Sequence, residues 1–172
     1  MTLQLVANIL LIAVLICWVG YRQLTWRPVA VGQLWRFPAV LGVVGLALLA
    51  QTAHPSTVTV LDLGVLAVEL VISLAIGAWM GAIARFRPLE TPVRTGRDGR
   101  YVAAYESQTG ALGLVLWVVV IVVRLGIDLL AGMAGSHLAA STGVILLMFA
   151  ANRAARAAVF ASRLDRHATA AV

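Results

Sequence analysis

The sequence contains no lysine, one cysteine and few charged side chains, and these shortages exclude several classes of protein. A single thiol, Cys17, cannot form an internal disulfide, a dithiol redox pair or a cysteine-based metal cluster. Only 12% of the residues are charged and 62% are hydrophobic, with a mean hydropathy of +0.97. Ordinary soluble domains carry roughly 25% charged residues. The composition therefore predicts a polytopic membrane protein.

The basic residues are all arginine, 13 in number, which we attribute to the codon usage of a high-GC bacterial genome. A sequence pI near 11.0 would suggest nucleic-acid binding in a soluble chain. Here 12 of the 13 arginines lie in short segments that flank apolar runs. Membrane topology and anionic lipid headgroups explain that pattern better. We therefore expect membrane lipids, and no nucleic acid, as partners.

Five apolar runs predict an all-α bundle of five transmembrane helices in one transmembrane domain. The runs cover residues 3–21, 37–53, 58–84, 110–133 and 138–156. No basic residue precedes the first run, as it would in a signal peptide, so we interpret that run as a retained span. The arginine clusters follow the first, third and fifth runs. By the positive-inside rule, the N-terminus lies outside and the C-terminus inside a bacterial cytoplasmic membrane.

The long polar segment, residues 85–109, is predicted to be a cytoplasmic loop. It contains Asp98-Gly99 between polar residues and β-formers, a signal for a hairpin turn. A solvated loop that sets the topology and touches lipid headgroups explains the segment, and so does a docking site for a partner.

Charged side chains also occur inside two of the apolar runs. Arg124 and Asp128 lie in the fourth run, and Asp62 and Glu69 lie in the third. Charge within a bilayer is costly, so it normally has a partner and often a function. At about 1.5 Å per residue, Glu69 lies roughly 16 Å and Arg124 roughly 15 Å from the outer ends of their helices. We therefore predict that Glu69 contacts Arg124, with Asp62 and Asp128 nearer the outer surface.

Further polar and aromatic residues accompany these charges. Asn8 of the first run falls at a level similar to that of Asp128, and Trp117 lies seven residues before Arg124 on the same helical face. Trp117 either forms the floor of a pocket or packs as an ordinary helix residue. The face that carries Glu69 also carries a stripe of small residues, which lets transmembrane helices approach closely. These are Ser73, Gly77 and Gly81.

Two interpretations of the charged residues remain open. In the first, Glu69 and Arg124 form an ion pair that only locks two helices together. In the second, they line a pocket open to the outer leaflet or the external space, where Arg124 receives an anionic group and a carboxylate holds or moves a proton. Three acids face one arginine, and an unpaired buried carboxylate favours its protonated form and can donate a proton.

A metal site is not expected. His54 and His137 come from separate outer loops without ligand spacing, and the chain contains no nucleotide-phosphate loop, serine-nucleophile motif or zincin motif. We also expect no cofactor.

Several short motifs carry a resemblance to a family. They are Trp35-Arg36-Phe37-Pro38, Gly77-x-x-x-Gly81 in a helix that ends at Arg85, Asp98-Gly99-Arg100, Gly110, Leu116-Trp117 and Arg124-Leu125-Gly126-Ile127-Asp128. Over about residues 22–155 the chain resembles small actinobacterial membrane proteins of the CcdC-like family. The resemblance implies four or five transmembrane helices, mostly without assigned activity, and an association with cytochrome c maturation. With one thiol, this chain could take only an accessory part in such a process.

Three functional hypotheses follow. The first is a non-enzymatic accessory or small-ligand-binding protein in which Arg124, Asp128, Trp117 and Asn8 contact a lipid-like or anionic small molecule. The second is an intramembrane enzyme acting on a lipid or isoprenoid-like substrate, with Glu69 or Asp62 as the catalytic acid or base. The third is a small proton-coupled transporter that works as a homo-oligomer, because five helices rarely form a transport path alone.

Overall fold

A computed structural model describes residues 17–52, 58–95, 99–135 and 141–170, together with Leu10 and Val14. Residues 17–24 are helical and lead into the first labelled element. The labelled elements, in chain order, are β1 Arg27–Val29, α1 Val31–Leu34, α2 Arg36–Thr52, α3 Val60–Ala82, β2 Arg85–Thr95, β3 Tyr101–Gln108, α4 Gly110–Met133 and α5 Thr142–Ala170.

Four of the described helical segments are long and apolar enough to cross a membrane. They are Gly32–Gln51, Val60–Ala82, Gly110–Met133 and Thr142–Arg166. At about 1.5 Å per residue, the 23 residues of α3 extend roughly 35 Å, more than the hydrocarbon core of about 30 Å. The second to fifth predicted runs therefore match helices of membrane-spanning length. Most of the first predicted run, residues 3–21, lies outside the described residues.

A three-stranded antiparallel sheet corrects the all-α prediction. Its strand order is β1-β3-β2, with Arg27 opposite Ser107 and Arg85 opposite Gln108. The predicted hairpin between β2 and β3 is confirmed, and Gly99 in its turn has a φ of 60°, a conformation that favours glycine. The prolines of the sheet, Pro28 in β1 and Pro88 and Pro92 in β2, lie in edge strands, where a residue without a backbone N–H is tolerated.

The sheet packs against one end of the helical bundle. Ala84, Phe160 and Leu164 form a buried cluster there, and Phe160 contacts Phe86 of β2 edge to face at 4.6 Å between ring centroids. Arg163 donates hydrogen bonds from Nη1 to the backbone oxygens of Gly81, Ala82 and Ala84. It thereby satisfies carbonyl groups that the end of α3 would otherwise leave unpaired. These contacts hold the part of α5 that continues past residue 156, where the predicted span ends.

Helix α5 is the centre of the described bundle, because α2 and α3 both pack along it. A Cβ atom on Gly81 of α3 would lie 2.9 Å from the backbone oxygen of Arg156, and one on Gly143 of α5 would lie 2.7 Å from the backbone nitrogen of Leu49. The small-residue stripe of α3 therefore permits close helix packing, as predicted, and the helix that it approaches is α5. Helix α4 packs against α3 and stands away from α5.

Candidate ligand cavity between helices α3, α4 and α5

The predicted contact between Glu69 and Arg124 is present. Arg124 Nη1 donates a hydrogen bond to Glu69 Oε2 at 2.5 Å, and the Glu69 side chain is only 2% exposed. Arg124 Nη2 lies 3.2 Å from Asp128 Oδ1, one helical turn further along α4. One guanidinium thus lies between two carboxylates, so the three ionised groups together carry a formal charge of −1.

The second carboxylate oxygen of Glu69, Oε1, is buried and has no hydrogen-bond partner in the part of the chain that the structure describes. Buried carboxylate oxygens in proteins normally accept at least one hydrogen bond, because desolvation without a partner is costly. Arg124 and Asp128 are less enclosed, at 19% and 22% side-chain exposure. Glu69, the least solvent-exposed of the three residues, therefore has a carboxylate oxygen that accepts no hydrogen bond from the described residues.

A cavity of about 290 Å³ lies beside this pair, and we call it the helix cavity. Its walls come from the facing sides of α3, α4 and α5, where α4 stands away from α5. Most of the lining side chains are apolar, including Ile72, Ile76, Val120, Ile121, Leu146 and Phe149. Glu69 and Arg124 line the same space. Ligand sites of this kind combine apolar walls with a few placed polar groups.

The helix cavity extends from the ion pair towards the sheet. Its lining on α3 begins at Glu69 and continues to Met80, and on α4 it reaches back from Ile127 to Trp117. Both Met80 and Trp117 lie near the helix ends that join the sheet. The sequence predicts a pocket that opens to the outer leaflet or the external space, on the opposite side of the ion pair and away from the arginine clusters. Trp117 lines the cavity at its sheet end, seven residues from Arg124.

Asp62 lies in a different setting from Glu69. It occupies the third position of α3, where its side chain accepts from the backbone nitrogen and hydroxyl of Thr59 at 2.9 and 2.7 Å. The Thr59 hydroxyl in turn accepts from the Asp62 backbone nitrogen. This reciprocal capping box satisfies helix-terminal donors. Asp62 and Asp128 are not among the residues that line the helix cavity.

Three other residues of the sequence argument cannot be placed. Asn8, His54 and His137 lie outside the described residues. Within the described ranges, no group of three or more histidine, cysteine, aspartate or glutamate side chains is arranged to hold a metal ion.

The structure adds polar residues to the cavity that the sequence argument did not include. Asn152 of α5 donates from Nδ2 to the backbone oxygen of Ser73 at 3.0 Å, and it lines the cavity together with Arg153 and Arg156. Gln23, from the helical segment before β1, closes the sheet end. The sequence could have indicated that Asn152 faces the bundle, because it lies three residues after Phe149 and seven after Ile145, on one apolar face of the helix.

Comparisons of the chain with protein-family models, curated proteins and solved structures found no match.

Proposed function

We propose that this chain is a polytopic protein of the bacterial cytoplasmic membrane that binds a small, largely apolar molecule in the helix cavity. In this proposal the protein is an accessory or ligand-binding module of the CcdC-like family. Glu69 and Arg124 supply the polar contacts, and the facing sides of α3, α4 and α5 supply the apolar ones.

The proposed topology has five spans, with residues 3–21 as the first and the sheet on the cytoplasmic side. Its support is the distribution of arginine. Arg85 and Arg87 follow α3, Arg36 begins α2, and Arg163 lies beside the sheet on α5. Among the arginines that the structure describes, Arg124 alone lies far from that end. Basic residues concentrate on the cytoplasmic side of membrane proteins, so the C-terminus lies inside and the N-terminus outside.

The observation that carries the proposal is the buried Oε1 atom of Glu69. An ion pair that only holds two helices together does not require an unpaired acceptor oxygen on a residue that lines an apolar cavity. A ligand with one hydrogen-bond donor, such as a hydroxyl group on an apolar body, would satisfy that oxygen and fill the helix cavity. The ligand would gain an acceptor of high hydrogen-bonding strength in a region of low dielectric constant.

An intramembrane enzyme acting on a lipid or isoprenoid-like molecule is the second candidate. The observation that favours it is the same carboxylate, because a general acid or base must lie within hydrogen-bond reach of the reacting proton. Arg124 would hold the carboxylate in place and stabilise negative charge. Conversion of the bound molecule, rather than its simple retention, distinguishes this candidate from the first.

Native mass spectrometry of gently purified protein tests the proposal. We expect the wild-type spectrum to contain a retained apolar molecule. Val120→Phe adds volume to the cavity wall and should abolish retention, because Val120 lines the helix cavity. Val118→Phe is the matched control, since Val118 lies on the same helix, is 41% exposed and is outside the lining.

Retention in Val118→Phe but not in Val120→Phe supports the proposal. Equal retention in both variants, or no retained molecule in the wild-type protein after purification in several mild detergents, contradicts it. Thermal melting of the two variants in parallel shows whether either substitution has affected folding.

A further inference from the structure

A second, larger cleft lies at the sheet end of the bundle, and we call it the arginine cleft. Its volume is about 990 Å³, and its walls come from residues 18–23, β1, α1, the start of α2, β3 and α5. Among the described residues, six arginines and no aspartate or glutamate line it. They are Arg22, Arg27, Arg36, Arg100, Arg153 and Arg156.

Within the described part of the chain, three of these arginines, Arg22, Arg153 and Arg156, are held by contacts with groups other than carboxylates. Arg22 lies over the Trp18 ring at 4.8 Å, and Arg153 lies over Phe149 at 5.2 Å. Stacking uses the face of a guanidinium and leaves its N–H groups, which lie in the plane, available to an acceptor. Arg156 donates from Nη2 to the hydroxyl of Thr109 at 2.7 Å. The positive charges of Arg22 and Arg153 repel one another, as do those of Arg153 and Arg156.

Apolar surface lies next to the positive charge. Val19, Leu34 and Phe160 line the same cleft, together with Trp18. A soluble phosphate compound would have no use for these side chains. A phospholipid would place its phosphate among the arginines and its glycerol and first methylenes against the apolar side chains.

We infer that the arginine cleft binds the phosphate-bearing headgroup of an anionic phospholipid. Guanidinium groups suit this chemistry, because each can donate two parallel hydrogen bonds to a phosphate. An anion also relieves the mutual repulsion of the arginines. The inference goes beyond the proposed function, since it concerns a second site that adjoins the helix cavity. Four residues line both spaces, namely Gln23, Trp117, Arg153 and Arg156.

Lipid titration of delipidated full-length protein, read by native mass spectrometry, tests the inference. Phosphatidylglycerol should bind with one-to-one stoichiometry and at least about tenfold more tightly than zwitterionic phosphatidylcholine, about the effect of one charge-assisted contact. Arg36→Gln should weaken phosphatidylglycerol binding about tenfold, and Arg27→Gln should act in the same direction. Both side chains are exposed and line only the arginine cleft, so neither change should disturb the helix cavity.

Arg94→Gln is the matched control. It removes the same charge from an exposed position in β2 that does not line the cleft, and it should change binding less than about twofold. Equal binding of the two lipids, or an equal effect of Arg94→Gln and Arg36→Gln, would overturn the inference. Displacement of the lipid by glycerol phosphate at a similar concentration would also overturn it, because the occupant would then be a soluble phosphate compound.

The outcome is independent of the proposed function. Arg36→Gln and Arg27→Gln should leave retention of the apolar molecule in the helix cavity unchanged. Val120→Phe should leave phosphatidylglycerol binding unchanged, since Val120 does not line the arginine cleft.

Discussion

Helix α3 has two seams of opposite character. Along its seam with α5, Gly77 and Gly81 bring the two backbones into contact, and a Cβ atom on Gly77 would overlap the carbonyl oxygen of Asn152. Along its seam with α4, the Glu69–Arg124 ion pair joins the helices, and a cavity of about 290 Å³ lies beside that pair. One side of α3 is therefore closely packed and the other is open.

The difference gives α3 one face for close helix packing and another face that borders a cavity. Close backbone contact excludes volume, so the α3–α5 seam has no room for a ligand. The α3–α4 seam keeps its volume, because a long arginine side chain bridges the helices at a distance. Much of α4 is also exposed, including Leu125, Leu129 and Leu130. The ion pair consequently carries a larger share of the contact at the open seam.

The largest expected effect is at the open seam. Arg124→Leu should lower the free energy of unfolding by about 3–5 kcal/mol, because it leaves the Glu69 carboxylate buried without a counter-charge. The measurement is thermal or denaturant unfolding in a mild detergent. Glu69→Leu combined with Arg124→Leu is the control, and it should recover much of the loss, because the more buried carboxylate is removed together with its counter-charge while the remaining one, Asp128, is 22% exposed. Additive losses in the double variant would contradict a direct pair.

The next effect is at the packed seam. Gly77→Ala should cost about 1–3 kcal/mol of unfolding free energy, because the new methyl group forces α3 and α5 apart. Gly64→Ala is the matched control in the same helix, since nothing lies within 4 Å of its added Cβ atom. Alanine there should be neutral or stabilising by up to about 1 kcal/mol. Equal melting temperatures for the two variants would show that the seam is not closely packed.

The smallest effect concerns the polar contact within the packed seam. Asn152→Ala removes the hydrogen bond to the Ser73 backbone oxygen and should cost only about 0.6–2 kcal/mol. The Ser73 oxygen sits within α3, where it can keep its helical hydrogen bond, so no acceptor is stranded. The unfolding free energies of Asn152→Ala and Arg124→Leu, measured under the same conditions, give the ratio of the two losses of stability. A loss at Asn152 as large as that at Arg124 would remove the distinction between the seams.

The sequence predicts the elements of this structure better than their arrangement. Hydropathy locates four helices of spanning length within a few residues of their limits, except that α5 continues beyond the run predicted to end at residue 156. Equal depth along the helix axis brings Glu69 to Arg124. Depth along an axis does not specify which face of α4 stands away from its neighbours. The sequence therefore could not show that the cavity extends towards Met80 and Trp117.

The third strand of the sheet, β1, and the central position of α5 were missed for separate physical reasons. β1 has three residues and contains Pro28, so its sequence resembles a loop, and its pairing partner in β3 lies almost 80 residues away, at Glu106. Arg153 and Arg156 suggested that the fifth span ended near them. Their aliphatic stems and ring contacts instead keep them within a longer helix, and Arg163 then caps α3.

The most direct test separates binding from bracing at the Glu69–Arg124 pair. Glu69→Gln combined with Arg124→Gln replaces the pair by neutral side chains that can still hydrogen-bond, and Asp128, which loses its arginine, is 22% exposed, so the unfolding free energy should change by less than about 2 kcal/mol. Native mass spectrometry of the same preparation should show at least about a tenfold loss of the retained apolar molecule, since its strong charged acceptor is gone. Unchanged retention in this stable double variant would contradict a ligand-binding role for the pair.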